Sequence, residues 1–125
     1  MSLLVINFIM FAHWIGDFLL QKNKKKTRKK IKNKNLKHLL PHTLIYTIVL
    51  TLSVLILQFI NKWNSNLILF FFITYITHFV IDLLITKINE KNLKKNDRHK
   101  YFLTIGIDQF IHYSILFATI YYLYH

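Results

Sequence analysis

Histidine and aspartate recur in pairs four residues apart in this 125-residue chain. The pairs are His13 and Asp17, His38 and His42, His78 and Asp82, and Asp108 and His112. A spacing of four puts both side chains of a pair on one face of an α-helix, about 6 Å apart along its axis. The chain has no cysteine. Imidazoles and carboxylates without thiolates suit Zn²⁺, Mn²⁺, Fe²⁺ or Ni²⁺, so the pairs predict a metal site.

The eight paired residues exceed what one tetrahedral ion needs, and they suit two divalent ions with open positions. Zn²⁺ is the ion we expect first, with Mn²⁺ or Fe²⁺ as alternatives. The competing interpretation is that the same side chains only hydrogen-bond between helices and lock a bundle. An aspartate inside a membrane costs about 2.5–3.5 kcal/mol on insertion scales, so three of them at one depth favour a shared site.

Hydrophobic residues make up 54% of the chain and are concentrated in four stretches without Lys or Arg. These are Leu3–Leu20, Leu39–Ile60, Leu67–Ile85 and Tyr101–Tyr124. Each is close to the length of about 20 residues that crosses a bilayer core as a helix. We therefore predict an all-α integral membrane bundle, a single domain over residues 1–125, with helices at about 3–21, 39–60, 67–86 and 101–124. Gly16 and Gly106 are expected to let neighbouring helices approach closely.

The basic residues predict the orientation of this bundle. Of the 17 Lys and Arg residues, ten lie in Lys22–Lys37 and six in Lys87–Lys100. The positive-inside rule places these two loops in the cytoplasm and both termini outside. We expect a multi-pass protein of the cell (inner) membrane. Every His/Asp pair then falls in the cytoplasmic half, with the aspartates nearest the cytoplasm and their histidine partners about 6 Å deeper.

Four ordered motifs make the sequence similar to known proteins. They read His13-x-x-Gly16-Asp17-Phe-x-x-Gln21, Leu-Leu-Pro-His42, His78-x-x-x-Asp82 and Asp108-Gln109-x-x-His112. Together they resemble a family of short bacterial and phage membrane proteins known only as a domain of unknown function. The chain is more loosely similar to inner-membrane proteins labelled predicted metal-dependent hydrolases, which carry a His-x-x-x-Asp segment with a following Thr, as in His78–Thr86. Their basic His-x-x-x-His segment contains Gly, which Lys37–His42 lacks.

The resemblance and the residues lead to one main hypothesis, a metal-dependent hydrolase of a phosphoester or lipid-linked phosphate at the cytoplasmic leaflet. The paired His and Asp residues would hold the metal, and a bound water would be the nucleophile. Asp108 would accept its proton, while Gln21 or Gln109 would orient the leaving oxygen. The loop lysines would attract an anionic head group. No Gly-rich phosphate loop and no Ser or Cys nucleophile motif occurs in the sequence.

Two other functions stay open. Intramembrane Asp and His also mark ion or proton pathways, as in a coupled transporter. A structural or accessory subunit could use the same polar core to fix helix packing and its basic loops to dock a larger membrane partner or a second copy. Both basic loops are expected to contact anionic lipid. They lack the interleaved aromatic residues of single-stranded nucleic-acid binders, which argues against a nucleic-acid partner.

The charge distribution generates a topology prediction. A reporter fused after residue 125 should be external, and one inserted at residue 30 should be cytoplasmic, because 16 of the 17 basic residues lie in two loops on one side. Paired alkaline phosphatase and fluorescent-protein fusions measure this. The opposite pattern of signals would remove the cytoplasmic placement of the His/Asp pairs.

Overall fold

The computed structural model describes residues 3–19, 35–62 and 66–124, and of residues 35–38 it describes only the backbone. Every regular element within these ranges is helical, as predicted for an all-α protein. The elements are α1 (Leu3–Trp14), a π-helical turn that continues it (Ile15–Leu19), α2 (Asn35–Asn61), α3 (Leu67–Lys94) and α4 (Arg98–Tyr124). Helix α1 packs on α2, α2 on α3 and α3 on α4.

The helix ends differ from the predicted ones where basic residues are frequent. Helix α3 continues to Lys94 and α4 begins at Arg98, so most of the predicted loop Lys87–Lys100 is helical. Lys and Glu are good helix formers, and a change from apolar to basic residues marks the end of a membrane span rather than the end of a helix. Helix α2 likewise begins early, at Asn35. The predicted end of the first helix at Gln21 and most of the basic loop that follows lie outside the described residues.

A tight turn joins α3 to α4. Asn96 adopts a left-handed conformation with φ 54°, which Asn tolerates better than most residues. Asp97 then caps α4, because its Oδ1 accepts a hydrogen bond of 3.0 Å from the backbone N–H of Lys100. Its other oxygen lies 3.0 Å from the Lys100 ammonium group. The turn therefore fixes where α4 starts and, with it, the register of Asp108 and His112.

Three of the described helices are long and apolar enough to cross a membrane, by length and composition: Leu39–Asn61, Leu67–Lys94 and Arg98–Tyr124. The first apolar helix, Leu3–Leu19, is shorter. Large apolar side chains cover the outside of the bundle, and Phe59 and Phe110 are 80% and 71% exposed. Hydroxyl side chains inside the apolar helices donate to the carbonyl four residues earlier, which satisfies them without water. Examples are Thr43, Thr47, Ser53, Thr77 and Thr119.

The interior is divided along the helix axes into an apolar half and a polar half. The apolar half contains Ile9 of α1, Leu50 and Val54 of α2, Phe70 of α3 and Leu116 of α4. The polar half lies at the other end of each helix and contains the buried side chains of His13, Asp17, Thr43, Thr47, His78, Thr104 and His112. The predicted gathering of polar residues at one depth is therefore present in the fold.

The two glycines have different surroundings. A Cβ atom on Gly16 would lie 3.1 Å from Tyr46 Cδ2 and 3.4 Å from Tyr46 Cα, so glycine permits a closer contact between the first helix and α2 than most side chains would. A Cβ atom on Gly106 would meet nothing within 4 Å. The expectation of close packing is confirmed for Gly16 and wrong for Gly106, which lies on the exposed side of α4.

The cap at Asp97 generates a stability prediction. Asp97→Ala should lower the melting temperature, whereas Asp97→Asn should lower it less because Asn is also a good cap. The hydrogen bond from the Lys100 backbone and the Lys100 ammonium group hold the pKa of the Asp97 carboxyl below its usual value. A lowered pKa stabilises the fold above the unfolded pKa, and this contribution is lost as the pH falls through the folded value. Thermal unfolding in detergent should therefore show the gap between wild type and Asp97→Ala shrinking from pH 7 to pH 3.

Candidate metal centre

The π-helical turn Ile15–Leu19 positions the carboxylate of Asp17 in the polar half of the bundle. A π-turn closes with i→i+5 hydrogen bonds, so it is wider than an α-helical turn. It keeps both His13 and Asp17 buried in the bundle, along with Gly16. Turns of this type are rare and often occur at functional sites. The four-residue spacing predicted a shared face, but the sequence carries no signal for the π-turn itself.

Four side chains from three elements converge in the polar half of the bundle. They are Asp17 of the π-turn, His42 of α2, and His78 and Asp82 of α3, and each offers one ligand atom within 4.8 Å of the other three. His42 Nε2 lies 3.3 Å from Asp17 Oδ1, 3.4 Å from Asp82 Oδ2 and 3.4 Å from His78 Nε2. His78 Nε2 lies 3.3 Å from Asp82 Oδ2. We call these four residues the first ligand group.

The spacing within the first ligand group fits a tetrahedral ion. Zinc bonds to imidazole nitrogen and carboxylate oxygen are about 2.0–2.2 Å long, so neighbouring ligand atoms of a tetrahedral site lie about 3.3–3.6 Å apart. The four distances given above fall between 3.3 and 3.4 Å. The donor atoms are also the right ones for Zn²⁺ or a similar first-row ion. These residues therefore fit a divalent metal in both chemistry and spacing.

A second group shares Asp82 with the first. It consists of Asp82, Asp108 and His112, whose ligand atoms also lie within 4.8 Å of one another. Asp82 turns Oδ2 toward the first ligand group and Oδ1 toward His112 Nε2, at 3.5 Å. The pairs on α3 and α4 behave as the spacing predicted, with His78 and Asp82 3.3 Å apart and Asp108 and His112 3.1 Å apart. We call Asp82, Asp108 and His112 the second ligand group.

A chain of hydrogen bonds holds two of the carboxylates in position. The Tyr46 hydroxyl lies 2.6 Å from His13 Nδ1, and His13 Nε2 lies 3.0 Å from Gln109 Oε1. The Gln109 amide group donates to Asp17 Oδ2 at 3.0 Å and to Asp108 Oδ2 at 3.4 Å. Because an amide oxygen only accepts, His13 must carry its proton on Nε2 and accept from Tyr46 on Nδ1. The chain leaves Asp17 Oδ1 facing His42.

The predicted site residues thus separate into two roles. Six of them form the two ligand groups: Asp17, His42, His78, Asp82, Asp108 and His112. His13 lies outside both groups, and its two ring nitrogens lie within hydrogen-bond distance of Tyr46 and Gln109. Gln109 donates to Asp17 and Asp108, and its contact with a leaving oxygen stays a prediction. Gln21 and the His38 side chain lie outside the described residues.

Tyr46 is the contributing residue that the sequence did not single out. Its ring is 2% exposed and stacks on the His78 imidazole, with ring centres 3.7 Å apart and an angle of 9° between the planes. It lies four residues after His42, on the same face of α2. That spacing was a usable signal, since a tyrosine far from the ends of an apolar helix needs a partner for its hydroxyl group.

The family of the chain follows from residues 4–125, which match the model of the family described as "Protein of unknown function (DUF3307)". The match covers almost the whole sequence, so the chain belongs to this family. No curated protein and no solved structure matches it. The expected resemblance to a family of unknown function is therefore confirmed, and any statement about activity depends on the arrangement of the site itself.

The hydrogen-bond chain generates a prediction about Gln109. Gln109→Met keeps the side chain's length but removes both its donor and its acceptor, so Asp17 and Asp108 should lose their fixed orientation. Loss of such outer hydrogen bonds typically lowers metal affinity about 10–100-fold, and we expect a decrease in that range. Competition with a fluorescent zinc chelator measures it.

Gln58→Met is the matched control, because Gln58 lies on α2 about 24 Å along the helix from His42. Tyr46→Phe should weaken metal binding through the same chain of hydrogen bonds. The double variant should therefore lose less affinity than the two single losses added together. Unchanged affinity in Gln109→Met would show that the chain has no part in the site.

Proposed function

We propose that the protein is a membrane-embedded metal-binding protein and that it hydrolyses a phosphoester or lipid-linked phosphate at the cytoplasmic leaflet. The convergence of ligand atoms from Asp17, His42, His78 and Asp82 within 4.8 Å of one another is the observation that carries the proposal. Three carboxylates, those of Asp17, Asp82 and Asp108, lie in this region, and each has a histidine nitrogen within ion-pair distance. Bound divalent ions would balance this charge.

The membrane location is supported by the surface and by the hydroxyl groups. A soluble monomer rarely exposes a continuous apolar surface, whereas this bundle exposes large apolar residues along all of its helices. Within the helices, Thr47, Ser53 and Thr119 satisfy their hydroxyl groups internally, as a bilayer requires. The first helix packs against α2, which supports the proposal that it lies in the same layer as the three longer spans. We therefore propose a multi-pass protein of the cell membrane.

The chemistry proposed for the site follows from its position near one end of the bundle. A bound Zn²⁺ or similar ion would supply Lewis-acid stabilisation of a phosphoryl oxygen and lower the pKa of water at the site. With an ion in the first ligand group alone, Asp108 would be the carboxylate that accepts a proton from that water, since its side chain is 15% exposed and lies at the edge of the cluster. Gln109 donates to Asp108 Oδ2 at 3.4 Å, and Asp108 Oδ1 lies 3.1 Å from His112 Nδ1.

Basic residues surround the approach to this end of the bundle. Helix α3 carries Lys87, Lys91 and Lys94 beyond Asp82, and α4 begins with Arg98 and Lys100. The Lys100 side chain is 66% exposed. Positive charge near the mouth of a site raises the local concentration of an anionic substrate. A phosphate head group at the cytoplasmic leaflet would meet these residues before it meets the ligand groups.

The apolar half argues for hydrolysis rather than transport. Ile9, Leu50, Val54 and Phe70 are buried on the far side of the ligand groups, and each is at most 1% exposed. An ion or proton path across the membrane needs a continuing line of polar groups, which this layer interrupts. A packing role for the polar cluster, in a structural or accessory subunit, is the competing function that the experiment below separates from metal binding.

Metal content and stability test the proposal. Purified protein should contain near-stoichiometric Zn, Mn or Fe, and EDTA should lower its melting temperature, because a ligand at 100 times its dissociation constant adds about 2.7 kcal/mol to the free energy of unfolding. Asp82→Asn should abolish both the bound metal and the EDTA effect. Wild type should release phosphate from a lipid phosphate in detergent micelles, where no gradient exists, and Asp82→Asn should not.

Glu90→Gln is the matched control, since it also changes a carboxylate to an amide on α3 but lies two turns beyond Asp82. It should keep the metal and the activity. Metal-free wild-type protein whose melting is unaffected by EDTA would leave only the packing role. Protein that binds metal but releases no phosphate would overturn the hydrolase part and retain the metal centre.

A further inference from the structure

His112 carries a buried nitrogen that the first ligand group does not use. Its Nδ1 lies 2.9 Å from the backbone carbonyl of Asp108, one turn earlier in α4, and 3.1 Å from Asp108 Oδ1. Nδ1 faces two oxygens and therefore carries a proton, so when the ring is neutral, as metal binding requires, Nε2 presents a lone pair. Metal-binding histidines commonly donate their other ring N–H to a backbone carbonyl in this way.

In this neutral form, Nε2 faces a carboxylate oxygen that also only accepts. The His112 side chain is 3% exposed, and Nε2 has no hydrogen-bond partner in the described part of the chain. The nearest ion-pair partner of Nε2 is Asp82 Oδ1, at 3.5 Å. Asp108 Oδ1 is also buried, and its 3.1 Å contact with His112 Nδ1 is an ion-pair contact without hydrogen-bond geometry. Acceptors that face one another in an apolar interior are costly unless a cation lies between them.

The two oxygens of Asp82 divide between the two ligand groups. Oδ2 faces His42 and His78, while Oδ1 faces His112. One carboxylate therefore contributes to both groups, and it does so with a different atom in each. Two-metal sites of hydrolytic enzymes hold their ions about 3.5–4 Å apart, a separation that a bridging carboxylate can span.

We propose that the second ligand group binds a second divalent ion and that Asp82 bridges it to the ion in the first group. This inference rests on the proposed metal centre and deepens it. The second group has three protein ligands, Asp82, Asp108 and His112, so open coordination positions remain for substrate and water. Paired ions of this kind stabilise the attacking and leaving oxygens of an in-line displacement, which makes a phosphoester the substrate class that fits.

Manganese reconstitution tests this inference directly. Chelator-treated protein in detergent is titrated with Mn²⁺, the bound metal is counted, and electron paramagnetic resonance records whether the ions are coupled. Wild type should bind two Mn²⁺ per chain and give the broad spectrum of an exchange-coupled pair. His112→Ala should bind one Mn²⁺ with the six-line spectrum of an isolated ion. Ser114→Ala, two residues further along α4 and exposed, is the matched control and should behave as wild type.

Each outcome separates this inference from the proposed function. Wild-type protein that binds no Mn²⁺, Zn²⁺ or Fe²⁺ would overturn both. One ion per chain with an isolated spectrum would retain the first group and overturn the second. Two uncoupled ions whose number is unchanged in His112→Ala would place the second ion elsewhere and also overturn the bridge. The wild-type spectrum decides the matter even if His112→Ala does not fold.

Discussion

Asp82 joins three helices through one partly buried carboxylate. Its oxygens lie 3.4 Å from His42 of α2, 3.3 Å from His78 of α3 and 3.5 Å from His112 of α4. A carboxylate among apolar helices is expensive unless charged or polar partners surround it. Because those partners come from different helices, the depth and rotation of each helix are set by the need to reach the same side chain. The rest of the polar half is arranged around this requirement.

Packing of the apolar half stabilises the bundle that holds this polar arrangement. Ile9, Leu50, Val54 and Phe70 pack closely at the other end of the bundle and keep the helices from sliding or opening. Between the two halves, Tyr46 belongs to both, since its ring lies in the apolar core and its hydroxyl group reaches His13. Gln109, which His13 contacts, in turn donates hydrogen bonds to Asp17 and Asp108 and fixes their orientation. Rigid apolar packing and a directional hydrogen-bond chain thus cooperate to hold ligand atoms at fixed spacing.

The sequence could predict the helices and the gathering of polar residues, because both depend on periodicity and on apolar length. The spacing in His78–Asp82 and Asp108–His112 was enough to predict direct contact within each pair. The spacing could not predict that His13 lies outside both ligand groups, since His13 and Asp17 are spaced like the other pairs. His13 differs because its two ring nitrogens lie within hydrogen-bond distance of Tyr46 and Gln109. Nor could the sequence reveal the π-turn at Ile15–Leu19 or the helical extension to Lys94, which depend on tertiary packing and on capping.

The close contact at Gly16 links the position of the first helix to the cluster. A Cβ atom on Gly16 would lie only 3.1 Å from the Tyr46 ring, and Tyr46 stacks on His78, so a shift of the first helix passes through one ring to an imidazole of the cluster. The described part of that helix, Leu3–Leu19, is about 26 Å long, against a hydrocarbon core of about 30 Å. A short helix adjusts its depth and tilt when the bilayer thickens or thins. With the membrane location proposed above, a change in bilayer thickness that moves the first helix would be transmitted through Tyr46 to the orientation of His78.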